Sequence, residues 1–325
     1  MYPIKFENLY YERIWGGRKL ADFRDNLPEG VIGESWDIAC HDNGMGIVSN
    51  GKFKGASFEE LIDKHKEKLV GSKINTNKFP LLIKIITADE KLSVQVHPND
   101  EYAARVENEL GKTEAWYVMD ADEDAKLIVG TKDCTKELFE KAIKEEKLDK
   151  YLNVINVKKG DMYYIKSGLI HAICGGVTIA EIQQSSDTTY RVYDYGRGRE
   201  IHVDKALDVI DFNLKGENNK GITINYDNYT NTILCLSEYF TIQKYSIDEK
   251  MTEESDEERF YLFTCVEGKG KIISKDCELE INYGDSIFIP ATMGKYEFEG
   301  KMELLKSYVP DVKKEEEKII SKVLY

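Results

Sequence analysis

Apolar, β-branched and aromatic residues in this chain come in short runs broken by turn residues, at 79–88, 92–97, 115–120, 127–130, 162–165 and 177–183. Runs of that length and composition predict strands. The habit returns at 230–236, 240–247, 259–266, 271–273, 286–289 and 302–308. Many short strands at regular spacing predict a mainly β chain built as sandwiches or barrels. In four places the period changes to that of a helix. Ser57 caps a run with Phe58, Leu61, Ile62 and Leu69 on one face, and Glu60 completes a capping box. Asn99 can cap 100–110, and Thr135 can cap a run with Leu138, Phe139, Ala142 and Ile143 on one face. A fourth helix, 203–211, precedes the polar stretch 215–220, Lys-Gly-Glu-Asn-Asn-Lys. That stretch is the best linker candidate, so the chain is expected to divide into 1–220 and 221–325.

A weak internal repeat supports two related units. Gly160-Asp161 is followed by Ile165, and Gly284-Asp285 by Ile289, at the same interval. Eleven residues after each glycine stand His171 in the first copy and Lys295 in the second. A possible ligand is present in one copy and absent from the other.

With 325 residues there is room for two cores of ordinary size. The formal charge of −14 argues against nucleic acid or an anionic membrane as partner. It also sets a condition. A phosphorylated substrate would need a local positive cluster that the chain as a whole lacks. The first ten residues show no signal-peptide pattern, and no apolar run approaches the length of a membrane span. Six cysteines without a CxxC pair read as reduced thiols, and the expected compartment is the cytoplasm.

Candidate chemistry is sparse, because the chain has only five histidines. In Ser93-Val-Gln95-Val-His97-Pro98-Asn99-Asp100, Gln95 and His97 lie two apart and project from one face of a strand. Glu114 opens the next strand, in Gly111-Lys112-Thr113-Glu114-Ala115-Trp116, and His171 follows the turn glycine Gly168. Two histidines, a carboxylate and an amide oxygen suit a borderline divalent ion with an open position for water. On spacing alone the same residues serve equally as a polar surface or a satisfied barrel interior. His65 belongs to a Lys- and Glu-rich helix and reads as solvated. His41 and His202 have no assigned role, and Trp15 reads as core.

These segments resemble the signature stretches of type I mannose-6-phosphate isomerases, of the short bacterial branch of that cupin family. Gly33-Glu34-Ser35-Trp36-Asp37 and Tyr193-Asp194-Tyr195-Gly196-Arg197 are similar to further segments of it, so the likeness runs from about Tyr11 to Phe212. Beyond that the pattern is generically cupin-like. The resemblance implies two cupin-like jelly-roll β-barrels with a few inserted α-helices. It implies zinc, one ion per chain in the first barrel, held by Gln95, His97, Glu114 and His171. The implied reaction is reversible interconversion of mannose 6-phosphate and fructose 6-phosphate through an enediolate. The implied partner is a small phosphosugar, and the implied state a monomer or homodimer. Carried over residue by residue, the catalytic candidates are Arg191, Lys112 and Glu181, and the substrate-binding candidates are Lys84, Ser93, Asp187 and Arg197. Without the resemblance, Lys84 reads equally as a strand gatekeeper, Glu181 as the partner of a nearby lysine, and Arg191 and Arg197 as exposed turn arginines. Lys166 stands where the general cupin hairpin has proline, and Gln95 where it has histidine. The rival readings are a metal cupin of another class, such as a dioxygenase, and a non-catalytic sugar-binding cupin. Gln95 and the lysine–arginine cluster speak against the first, and the full ligand set against the second.

Overall fold

The computed structural model describes residues 1–275 and 277–323. Three antiparallel sheets carry the fold. The first has six strands in the order Leu9–Gly17, Ile32–Ile38, Leu81–Ala88, Val177–Gln184, Glu114–Ala121 and Met162–Ile165. The second has five, ordered Tyr190–Tyr193, Val94–Val96, His171–Ile173, Lys126–Thr131 and Leu152–Asn156. Their facing sides share one apolar cluster, with Ile86, Trp116, Val118 and Ile179 from the first sheet against Leu127, Val129 and Ile173 from the second. The third sheet starts at Ile222 and includes two 14-residue strands, Tyr261–Ser274 and Lys295–Tyr308, paired along most of their length. It has a core of its own with Tyr245, Phe263, Ile281, Ile287 and Phe298. This is the mainly β architecture that the strand pattern predicts.

Leu81–Ala88 is buried at all eight positions, which explains its unbroken apolar run. Lys84 and Ile86 face the interior between the first two sheets, where both line a cavity. Ile83 and Ile85 face the other way. Together with Tyr117, Ala180 and Ile182 they join one core with Phe240, Leu262, Phe288 and Leu305 of the third sheet. The N-terminal segment also crosses over. Ile4 N–H donates to the Phe288 carbonyl at 2.9 Å and its own carbonyl accepts from Phe288 N–H at 2.8 Å.

The repeat expected at Gly160 and Gly284 is present in the backbone. Both glycines have positive φ, +87° and +85°, a conformation glycine adopts without steric penalty. Each opens a four-residue strand, Met162–Ile165 or Ser286–Ile289, and the next strand then begins at His171 or Lys295. His171 is buried and Lys295 exposed.

Several expectations need correction. The expected strands at 259–266 and 271–273 are one strand, because pairing to Lys295–Tyr308 continues past a bulge at Cys265/Glu267 through a polar stretch. The helix capped by Asn99 ends at Val106, and the helix Val203–Val209 is shorter than expected. His65 is not on a solvated face: its ring packs 5.0 Å from that of Phe53. Arg191 is not the exposed turn arginine that it reads as without the resemblance: it is half-buried on the strand Tyr190–Tyr193. The helix Val312–Val323 was not anticipated, since a run rich in Lys and Glu carries little apolar periodicity.

Candidate active site

Gln95 occupies the short strand Val94–Val96, paired with His171 on one side and Arg191 on the other. Residues directly opposite in a sheet point to the same face, so all three side chains enter one space. His97 follows where the strand ends, and Glu114 opens a strand of the opposing sheet. Gly168 fixes the turn before His171: its N–H donates to the His97 carbonyl at 2.9 Å, and its φ is +88°.

Backbone carbonyls set the state of both imidazoles. His97 Nδ1 lies 2.9 Å from the Thr188 carbonyl and His171 Nδ1 2.9 Å from that of Leu169. A carbonyl only accepts, so each Nδ1 carries the ring proton and each Nε2 keeps a lone pair. Those two Nε2 atoms face one another at 3.1 Å. Glu114 brings its oxygens to 3.4 Å from His97 Nε2 and 3.5 Å from His171 Nε2, and neither oxygen has a hydrogen-bond partner. The Gln95 amide ends 3.4 Å from His171 Nε2. Converging lone pairs and an orphaned buried carboxylate repel one another unless a cation lies among them. His97, Glu114 and His171 are the one such His/Cys/Asp/Glu cluster among the described residues. Burial pushes the His97 imidazole down to about 3, with help from Lys112, and burial likewise lowers His171. Burial opposes ionisation of Glu114, yet Lys112 and His97 hold it well below the usual carboxylate range. The set is therefore deprotonated and ready for a metal at neutral pH.

Beside this cluster lies a cavity of about 470 Å³. Of one cross-strand row, Trp36–Lys84–Glu181–Trp116, the last three line it. The Lys84 ammonium sits 4.6 Å over the Trp36 ring, 3.6 Å from Glu181 and 3.9 Å from Glu34. Trp116 Nε1 donates to Glu181 at 2.9 Å, and Trp36 Nε1 to Glu34 at 2.8 Å. The two carboxyls nonetheless differ sharply. Burial raises Glu181 to about 7, and Glu114 adds to that while Lys84 and Lys112 pull it back. Burial also opposes ionisation of Glu34, but Lys84 and Arg13 outweigh it and bring Glu34 to about 2. Arg13 grips Glu34 with two bonds, at 2.8 and 3.2 Å. Lys112 lies 3.5 Å from Glu114. Neither the Lys84 nor the Lys112 ammonium hydrogen-bonds to another described residue, which leaves both for an incoming oxygen.

Ser93 Oγ bridges the two halves of the site, 3.3 Å from Gln95 Oε1 and 3.2 Å from Arg191 Nε. Asp187 lines the cavity and accepts from Asn43 at 3.1 Å. Arg197 does not line it; its guanidinium donates to the Lys91 carbonyl at 2.6 Å and to Glu90 at 3.1 Å. Sequence reasoning gave no role to Arg13, Glu34, Arg199 or His202, all of which line the cavity. Glu34 had a signal, since it lies two before Trp36 on a strand within a segment already singled out. Trp15 is buried, as expected of core, and also forms part of the cavity wall.

The chain is similar to known proteins over nearly its whole length. The family described as phosphomannose isomerase type I, catalytic domain, matches residues 4–133, and the mannose-6-phosphate isomerase cupin domain matches 230–309. The chain is 39% identical over 314 residues to mannose-6-phosphate isomerase ManA of Bacillus subtilis, covering 94% of this chain and 99% of that one. It is 37% identical to the mannose-6-phosphate isomerase of Streptococcus mutans, with 94% and 98% covered. Among solved structures, the mannose 6-phosphate isomerase from Bacillus subtilis superposes with a TM-score of 0.89 at 34% identity, over 94% of this chain and 99% of that one.

Proposed function

The chain belongs to the type I phosphomannose isomerases and interconverts mannose 6-phosphate and fructose 6-phosphate, and we propose that it does so by proton transfer at Glu181 beside a divalent ion. The observation that carries this reading is the pair of facing imidazole lone pairs with the orphaned Glu114 carboxylate, set at the edge of a cavity lined by two buried lysines, Lys84 and Lys112. His97, Glu114 and His171 would hold the ion, with Gln95 as fourth ligand once its amide turns its oxygen inward. Nitrogen and oxygen donors with an open position suit zinc. When bound, the ion supplies Lewis acidity to a carbonyl or enediolate oxygen.

The remaining steps belong to side chains. Glu181, its carboxyl raised toward neutrality and oriented by Trp116, removes the proton next to the carbonyl and returns it to the former carbonyl carbon, while the hydroxyl proton passes from the neighbouring oxygen to the former carbonyl oxygen. Lys112 and Lys84 donate to the substrate oxygens on which charge builds. Arg191, always protonated and held by Ser93, stabilises the enediolate from the opposite sheet. Ser93 and Asp187 orient hydroxyls, and Arg197 steadies the loop before the metal strand through Lys91. A dioxygenase or a silent sugar-binding cupin has no use for a raised carboxyl between two buried lysines. In this reading the catalytic unit is 1–220 and the unit 221–325 holds no ion. The enzyme works in the cytoplasm, in keeping with six unpaired thiols. A coupled assay from mannose 6-phosphate to fructose 6-phosphate should show turnover that a chelator abolishes and zinc restores. Undiminished turnover in a chelated, metal-free sample would overturn the metal's role.

A further inference from the structure

We propose that the third sheet holds a binding site for small carboxylates, built around the Lys306 ammonium and occupied in this structure by the Glu315 side chain of the helix Val312–Val323. The proposal is independent of the reaction assigned to the first two sheets.

Strand pairing places this site. Ile165 and Ile289 stand at the same interval after the repeat glycines, and they pair with Glu114 and Tyr261. Two residues further along those partner strands, Trp116 pairs with Glu181 and Phe263 with Lys306. On the other side Glu181 pairs with Lys84, and Lys306 with Gln243. Lys306 therefore occupies in the third sheet the position that Glu181 holds in the first, where the cavity opens. The chemistry there is different. The Lys306 ammonium sits 3.6 Å over the Tyr261 ring, with the rings of Tyr308, Phe263 and Tyr245 at 5.6, 5.7 and 5.9 Å. All four lie within cation–π range. Its one hydrogen-bonded acceptor among the described residues is Glu253, at 2.7 Å. Glu253 also accepts from the hydroxyls of Tyr245 and Tyr296, each at 2.8 Å. An ammonium has three N–H donors, so Lys306 keeps donors for a further oxygen.

The helix supplies that oxygen. Between Val312 and Lys322 its only buried side chain is Glu315, 5% exposed. A short helix without an apolar face gains little by packing, and a carboxylate is not buried without a cation. Lys318, one turn along, meets Glu315 at 2.9 Å but is itself half exposed. The groups beneath feel the Glu315 charge. Burial raises the Tyr308 hydroxyl, and Glu315 adds to the rise. Burial also lowers the Lys306 ammonium, while Glu253 and then Glu315 pull it back. Glu315 is thus a tethered ligand, seated where the corresponding part of the first sheet opens to a cavity. Its tether is weak. The other ion pair from the helix to the sheet's loops, Lys314 to Glu258 at 3.4 Å, is exposed on both sides, and such pairs contribute little. When the helix lifts, a free carboxylate offers Lys306 the same oxygens, in charge-assisted bonds beside aromatic faces.

The test uses the full chain and propionate, the severed equivalent of a glutamate side chain, with propionamide as the uncharged control. Acetylation of Lys306 by an amine reagent is followed by mass spectrometry of the peptide that carries it. In Glu315→Ala, Lys306 should be acetylated roughly tenfold faster than in wild type, and propionate, but not propionamide, should restore the protection. Calorimetry should detect propionate binding to Glu315→Ala and none once Lys306→Met is added. Should the alanine variant be poorly folded, Glu315→Gln, which keeps the shape and removes the charge, carries the same readouts. Equal protection of Lys306 in wild type and in both Glu315 variants would show that Glu315 does not cover it. Faster acetylation that propionate fails to slow would show a helix that shields Lys306 with no carboxylate site beneath. Either result would overturn the proposal.

Discussion

At the scale of single residues, Glu114 and Lys84 are the two positions where a small change separates the parts of the site. Glu114→Gln removes the charge that faces both imidazole lone pairs while keeping the shape. Metal per chain, measured by elemental analysis, should drop from about one to near zero, and activity should fall by at least two orders of magnitude. The metal contributes to stability through its binding, about 4 kcal/mol at a thousandfold excess over Kd. Chelation should therefore lower the melting temperature of the wild type and leave that of the variant unchanged. Lys84 acts on Glu181, the proposed base. Its ammonium lowers the Glu181 pKa, so Lys84→Met should raise it. The proton-abstracting form is the carboxylate, which is lost as pH falls, so the acid limb of kcat/KM should move to higher pH in the variant. In the loaded wild type that limb should lie below 7, because an ion on Glu114 cancels part of the charge that lifts Glu181. A limb that stays in place in Lys84→Met would remove Glu181 from the role of base.

Among the elements, the turn at Gly168 is the one that aligns the metal strand with its neighbour. Its N–H tethers the His97 carbonyl, and a Cβ at this position would lie 2.9 Å from the Val209 carbonyl. Gly168→Ala must adopt a left-handed backbone and push that carbonyl aside, at a cost of about 1–3 kcal/mol. The expected outcome is a lower urea midpoint together with weaker metal retention, since the same turn sets the gap between His97 and His171. Loss of stability with metal affinity intact would show that the turn is only structural. This element was half-legible in the sequence. Gly168 and His171 stood out as turn and ligand, whereas the pairing of Arg191 with Gln95 depends on a register between strands almost a hundred residues apart.

For the whole molecule, the outer face of the first sheet is not a surface. It shares its core with the third sheet, and polar contacts reinforce the join. Arg24 Nη2 donates to Asp37 and to the Gly284 carbonyl, each at 2.7 Å, and Ser286 donates to Asp37 at 3.0 Å. Both members of the ion pair are buried, so removing one strands the other. Arg24→Met should destabilise the protein by about 3–5 kcal/mol with metal content unchanged, as read by urea denaturation and elemental analysis. A midpoint near that of wild type would mean that water satisfies Asp37 and that the two units are joined only loosely.

Local physics explains what could be read from the chain alone. Strand runs, helix caps at Ser57, Asn99 and Thr135, and the glycine turns at 160 and 284 depend on residues within a few positions of one another. The candidate ligand cluster was legible for a related reason, because Gln95, His97, Glu114 and His171 sit in short segments whose spacing and resemblance mark them. Other features come from contacts distant in sequence, and no local pattern encodes them. Two carbonyls, of Thr188 and Leu169, turn both imidazole lone pairs inward. Lys84 stands between two carboxyls because three strands pair in one register. Arg199 enters the cavity and Arg197 leaves it because a buried aspartate and a left-handed loop direct arginines two residues apart oppositely. Composition supplies the ionisable groups, but only burial and neighbouring charge, both products of the tertiary fold, separate Glu34 at about 2 from Glu181 at about 7.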